Sequence, residues 1–189
     1  MPTGKQSLDS GRVILMSRIN GFAPLVGEQP RVLILGSMPS VASLDKQQYY
    51  GKPQNAFWCI MGELFGAGPD LPYAKRAVVL TDSGIAVWDV LASCVRPGSL
   101  DSAIDMRSAA VNEFNPFLQA HADIRHVFFN GRKAEEVYNR RVLAEAIMLR
   151  PDMRYVCLPS TSPAMATLKF SEKLKRWNVV AEALHNACK

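Results

Sequence analysis

Neutral polar side chains gather just behind the apolar runs of this sequence, and its chemistry is to be sought there. Ser37 and Ser40 stand in "GSMPS", Asp89 closes "GIAVWD", Asn130 ends "IRHVFFN", and Ser160, Thr161 and Ser162 follow "MRYVCLP". Between Gly36 and Trp58 the chain also carries Tyr49, Tyr50, Lys52, Asn55, Phe57 and Trp58, a dense load of aromatics and amides for a connection. Hydroxyls, amides and one carboxylate can donate, accept and hold a water, but none is a strong base. The histidines are His121, His126 and His185, and none follows the end of an apolar run, which leaves Ser-His-Asp hydrolysis without its base. Neither the GxxxxGK[ST] nor the GxGxxG phosphate loop is present. The GxSxG nucleophile elbow is missing too.

Four short runs must position these groups: "RVLILGS" (31–37), "GIAVWDV" (84–90), "IRHVFFNG" (124–131) and "MRYVCLPS" (153–160). Continuous rather than alternating apolar runs suit strands covered on both faces, hence a parallel sheet. Helical patterns lie between them. Trp58, Met61, Leu64 and Phe65 share a face behind Asn55 as N-cap, in a helix opening at Ala56. Residues 71–84 form a second helix, 112–123 a weaker one with Pro116 in its first turn, and 132–148 a fourth. A last helix over 171–187 takes Ser171 as cap and aligns Leu174, Trp177, Ala181 and Leu184. This alternation predicts an α/β fold, a three-layer α/β/α sandwich around a central, mainly parallel four-stranded sheet. Ligands then bind outside the carboxyl ends of the strands, where Ser37, Ser40, Asp89, Asn130 and Ser160–Ser162 converge. Residues 93–112 read as a long polar connection.

The 189 residues predict one domain over 10–189 behind a flexible tail at 1–9. With 48% hydrophobic and 21% charged residues the chain can bury a sizeable core. No apolar run reaches membrane-spanning length and the first residues do not resemble a signal peptide, so a cytoplasmic protein is expected. The net charge of +5 suits an anionic partner. Cys59, Cys94, Cys157 and Cys188 form no CxxC pair and read as free thiols.

Taken together, "GSMPSVASLDKQQYYGKPQNAFW", "GIAVWDVLASCVRPGSLDSAI", "HVFFNG" and "LPSTSPA" resemble the uracil-DNA glycosylase superfamily, and within it the DNA-deoxyinosine (hypoxanthine-DNA) branch. The resemblance covers about 32–177. It implies an α/β/α sandwich acting as a monomer, with no metal or cofactor, that hydrolyses the N-glycosidic bond of a flipped nucleotide in DNA. The substrate is a duplex carrying a deaminated base, with single strands left open.

Carried over residue by residue, the resemblance makes Asn55 the holder of the attacking water, beside its reading as a helix cap. Met38 stands where relatives place a water-activating polar residue, which moves that role to Asn55. Tyr50 matches the aromatic that stacks the flipped base, or is a rim residue; Phe57 and Trp58 go to the core. Ser37 belongs with the base-binding groups. Asp89 fills the slot of a base-reading asparagine, with a helix cap or a pair with Arg96 as its alternative. Ser160 replaces a histidine beside the leaving base. Ser40, Thr161 and Ser162 are assigned to DNA phosphates. Lys52 touches phosphate or solvent rather than attacking the sugar, so the enzyme is monofunctional. Met165 is a wedge into the duplex or a core residue; Lys169 and Lys173 grip phosphates or face solvent. The expected reaction is removal of hypoxanthine, then uracil or xanthine. Alternatives are a mismatch-specific uracil glycosylase and a non-catalytic damage-binding protein of the same fold.

Overall fold

The computed structural model describes residues 18–186, so the expected tail at 1–9, the domain start at 10 and Cys188 lie outside the described residues. In chain order the strands are β1 (Arg18–Asn20), β2 (Val32–Gly36), β3 (Ile85–Asp89), β4 (Leu91–Val95), β5 (Asp105–Val111), β6 (His126–Asn130) and β7 (Arg154–Leu158). The helices are α1 (Val41–Lys46), α2 (Phe57–Phe65), α3 (Tyr73–Asp82), α4 (Phe114–Ala120), α5 (Arg132–Arg141), α6 (Leu143–Leu149) and α7 (Phe170–Asn186). A 3-10 turn, Asp101–Ala103, lies between β4 and β5.

The four apolar runs form one sheet in the order β3-β2-β6-β7, every pair parallel. All five residues of β2 and of β3 are buried, which is why their sequences show no alternation. The alternation is present in space. Leu33, Leu35, Ala86, Trp88, Val127 and Phe129 pack with α4, α5 and α6. Val32, Ile34, Ile85, Val87 and Phe128 face the other way, toward α2, α3 and α7. Two cores on opposite faces of one sheet make the three-layer α/β/α sandwich expected from the sequence. Trp177, fully buried on α7, closes the second core edge-on against Phe57 and donates its indole N–H to the Pro159 carbonyl at 2.9 Å. Among the described residues no helix is long and apolar enough to cross a membrane.

Four local expectations are corrected. Half of the connection read over 93–112 is sheet: β4 and β5 pair antiparallel, and β1 adds to β4. The helix read over 132–148 breaks at Val142 (φ −128°) into α5 and α6. Ser171 sits inside α7 rather than capping it; the Glu172 carboxylate takes the Lys169 N–H instead, at 3.1 Å. Helix α2 begins at Phe57 rather than Ala56, and the Asn55 carboxamide oxygen accepts the Phe57 N–H at 2.9 Å.

Within α2, Gly62 lets the chain double back. A Cβ there would lie 2.6 Å from the Gly68 Cα. An ordinary helical Gly→Ala change gains about 1 kcal/mol, whereas forcing a methyl against backbone costs about 1–3 kcal/mol. Gly62→Ala is therefore expected to lower the urea midpoint, reversing the usual sign. A raised midpoint would show that the Gly66–Gly68 turn yields.

Candidate active site

Parallel pairing brings the four strand ends to one edge of the sheet. Asp89 is the register partner of Gly36, and Asn130 that of Leu158. Over this edge opens a cavity of about 370 Å³, a size suited to a small ligand. Its walls include Ser37, Ser40, Tyr50, Asn55, Asp89, Asn130, Ser160, Thr161, Ser162 and Met165. Of the residues singled out in the sequence, Lys52 lies outside it, on an adjoining cavity, and Lys169 outside both.

Asp89 is buried, and its Oδ2 has no hydrogen-bond partner. Burial pushes its carboxyl up to about 7, the nearby Asp101 charge adds to this, and Arg96 opposes it. The expected pair with Arg96 is not formed. That guanidinium donates to the Pro39 and Gly98 carbonyls, clamping the β4–β5 connection to the end of β2. Asp89 is no helix cap either, since it ends β3. Its carboxyl therefore stays uncommitted on the cavity wall. Gly36 makes room for it, because a Cβ there would overlap Asp89 Oδ1 and lie 3.3 Å from the Tyr50 hydroxyl.

Tyr50 sits at φ +53°, an uncommon conformation for a side chain of this size. Its ring stacks on Phe57 with centroids 3.9 Å apart and planes inclined by 22°. The hydroxyl is buried without a partner, and burial holds its proton on well above the usual phenol range. Asn55 is turned toward the cavity by a tight loop, its N–H donating to the Lys52 carbonyl at 2.9 Å. With Oδ1 accepting one main-chain N–H, the second lone pair stays available to a water hydrogen.

The last motif is held from three sides. Asn130 grips Thr161 twice, Nδ2 donating to Oγ1 and Oδ1 accepting the N–H, both at 2.8 Å. The Thr161 carbonyl accepts the Ala56 N–H at 3.0 Å, joining this motif to the Asn55 loop. Thr161 is thus buried, with its N–H, its carbonyl and a lone pair of its hydroxyl engaged inside the protein, and this burial corrects its expected place on DNA phosphate. Ser160 Oγ accepts the Ser162 N–H at 3.2 Å, and Ser162 Oγ accepts the Ala164 N–H at 3.3 Å. Met165 is half-buried at the mouth. Behind it Lys173 is buried and donates to the Met165 carbonyl at 2.8 Å, so this lysine holds the loop and does not reach a phosphate. Ser40 caps α1, its Oγ accepting the Ser43 N–H at 3.2 Å.

Comparison with known proteins follows this geometry. The description "Uracil DNA glycosylase superfamily" matches residues 23–182, which includes every strand that ends at the cavity. The chain belongs to the uracil DNA glycosylase superfamily.

Membership makes it a glycosylase, a hydrolase, in agreement with the motifs. It is similar to a "Hypoxanthine DNA glycosylase" of Methanosarcina acetivorans, 40% identical over 117 residues, 61% of this chain and 73% of that one. A protein of the same description from Methanosarcina barkeri is 35% identical over the same shares. A solution NMR structure from Methanosarcina acetivorans, provisionally described as a uracil DNA glycosylase, superposes with a TM-score of 0.73 at 33% identity. That alignment covers 89% of this chain and 99% of the other.

One acidic residue of the cavity was not singled out from the sequence. Asp101 lines the cavity and accepts from Ser37 Oγ at 2.6 Å across 64 positions of sequence. Only the acidic residue in "SLDSAI" hinted at it.

The buried carboxyl makes a stability test. Its native value near 7 exceeds the ordinary value of 3.8, so between these pH values the native state holds more protons than the unfolded chain. Stability then falls as pH rises toward 7. Asp89→Asn is expected to raise Tm at pH 8 and to change it much less at pH 5. Equal shifts at both would show that Asp89 ionises freely.

Proposed function

We propose that the protein is a monofunctional DNA glycosylase that hydrolyses the N-glycosidic bond of a flipped deaminated base, hypoxanthine first. The observation that carries this is the uncommitted Asp89 carboxyl on the cavity wall, within the same enclosure as Asn55. Hypoxanthine presents a ring N–H beside a carbonyl, and ionised Asp89 accepts that N–H. Adenine presents a ring nitrogen lone pair there, which the carboxylate repels. Uracil and xanthine share the N–H edge. Guanine and thymine share it too, so Asp89 sorts amines from lactams, and the lower cost of extruding a mismatched base supplies the remaining selectivity. The names of the two Methanosarcina relatives support the same substrate class.

In this reading Tyr50, backed by Phe57, stacks the extruded base, a contact worth about 1–3 kcal/mol. Asn55 orients water against C1′ as the glycosidic bond breaks; the new bond is O–C1′, and a water proton ends on the departed base. The hydroxyls and N–H groups of Ser37, Ser160 and Ser162 meet charge developing on the base. Met165 enters the duplex as the base leaves it, and Ser40 and Lys169 meet the backbone. Lys52 does not line the base cavity, which supports water rather than an amine as nucleophile.

Asn55→Ala is expected to slow single-turnover release of hypoxanthine by about 100-fold, the scale of a lost positioning group; an unchanged rate would remove Asn55 from the mechanism. Because only ionised Asp89 accepts the ring N–H, kcat/KM should rise between pH 6 and 8, and Asp89→Asn should flatten that rise. Duplexes containing hypoxanthine, uracil, xanthine or a G·T mismatch, cleaved with alkali after incubation, test the class. Strand breaks at uracil alone would make it a mismatch-type uracil enzyme. Retention of damaged duplex with no breaks would make it a damage binder.

A further inference from the structure

A second cavity, of about 260 Å³, adjoins the first, and Tyr50 and Asn55 line both. Its charged lining residues are all cationic: Lys46, Lys52 and Arg76. Lys52 projects from the loop that carries Asn55. Lys46, at the end of α1, donates to the Gly51 carbonyl at 3.0 Å and forms no ion pair among the described residues. Arg76 comes from α3, its guanidinium 5.0 Å above the Trp58 ring and 5.7 Å from that of Tyr73. Its Nε is buried without a hydrogen-bond partner. Among the described residues no carboxylate lines this cavity; Glu63 and Asp70 face a different one across Cys59 and Pro69. Three cations from three segments of chain, held without an acidic partner among the described residues, mark a place for an anion.

We propose that this cleft binds a backbone phosphodiester flanking the extruded nucleotide. The assignment rests on the glycosylase reading above and fixes where the DNA strand runs. Asn55, set beside C1′ in that reading, lies on the wall between the two cavities, so the deoxyribose sits at their junction. A phosphate is joined directly to that sugar, and the cleft is the basic space within its reach. Phosphate on Lys52 would also brace the turn in which the Asn55 N–H bonds to the Lys52 carbonyl, three residues away. Grip on the strand and placement of the water would share one short loop.

The test is binding of a hypoxanthine-containing duplex by the whole protein, followed by fluorescence anisotropy across a salt series. Lys52→Gln and Lys46→Gln, both at exposed positions, are each expected to reduce the slope of log K against log salt by about 0.9. Lys175→Gln, an exposed α7 lysine lining neither cavity, is the charge-matched control and should leave the slope unchanged. Arg76→Lys follows as a variant that retains charge but loses the planar guanidinium. A neutral methylphosphonate placed at each phosphate flanking the target gives the decisive cycle. At one of the two positions it should weaken binding by the native protein several-fold and have no further effect on Lys52→Gln. Additive losses at both positions, or slopes equal to that of Lys175→Gln, would overturn the cleft. Failure of the native protein to release any base would instead overturn the glycosylase reading, so the two can fail separately.

Discussion

Four strands paired in parallel register impose the constraint on which everything else rests. Because each strand rises in the same direction, their ends must share one edge, and residues as distant as Gly36, Asp89, Asn130 and Leu158 become neighbours. The two cores clamp the sheet from both faces and leave that edge as the place where main chain turns outward. Polar groups there meet one another or a ligand, since the sheet behind them offers only apolar side chains. The Asn130–Thr161 pair meets its needs within the protein, whereas Asp89 Oδ2 has no partner among the described residues.

The cavity therefore separates into a rigid part and an uncommitted part. Asn130, Thr161, Ala56 and Asn55 form a connected series of hydrogen bonds from β6 through the last motif to the start of α2. Satisfying buried donors and acceptors in this way fixes geometry at little net cost. Asp89 and the Tyr50 hydroxyl stand apart, buried and unmatched, each costly unless something later binds them.

The four central strands were legible because full burial writes itself as unbroken Val, Ile, Leu and aromatic runs. The site residues behind them followed from strand ends alone. β4 and β5 were hidden because polar residues interrupt them, Ser93 in β4 and Asp105, Arg107 and Ser108 in β5: β5, Asp105–Val111, is half-solvated, with only Ala109 buried. Helix α1 has six residues, too few for a periodic signal. The break at Val142 left no trace because the apolar pattern runs on from α5 into α6. Thr161 and Lys173 were misread for a shared reason. A hydroxyl or an ammonium near a DNA-facing motif suggests phosphate, but nothing in the sequence tells whether a buried main-chain partner has already claimed it. Asp101 was missed because its approach to Ser37 depends on how Arg96 folds the connection back.

The Lys173–Met165 contact separates the path of a loop from the identity of its side chain. The lysine grips the carbonyl of Met165, and the Met165 N–H donates to the Ser162 carbonyl at 3.0 Å. Both of these ties are to main chain, and the side chain adds one of its own, its sulfur accepting from the Thr167 hydroxyl at 3.3 Å. A substitution at 165 therefore gives up the Thr167 contact but keeps both main-chain ties that set the course of the loop. The path of the loop and the packing of its side chain are thus set by different bonds.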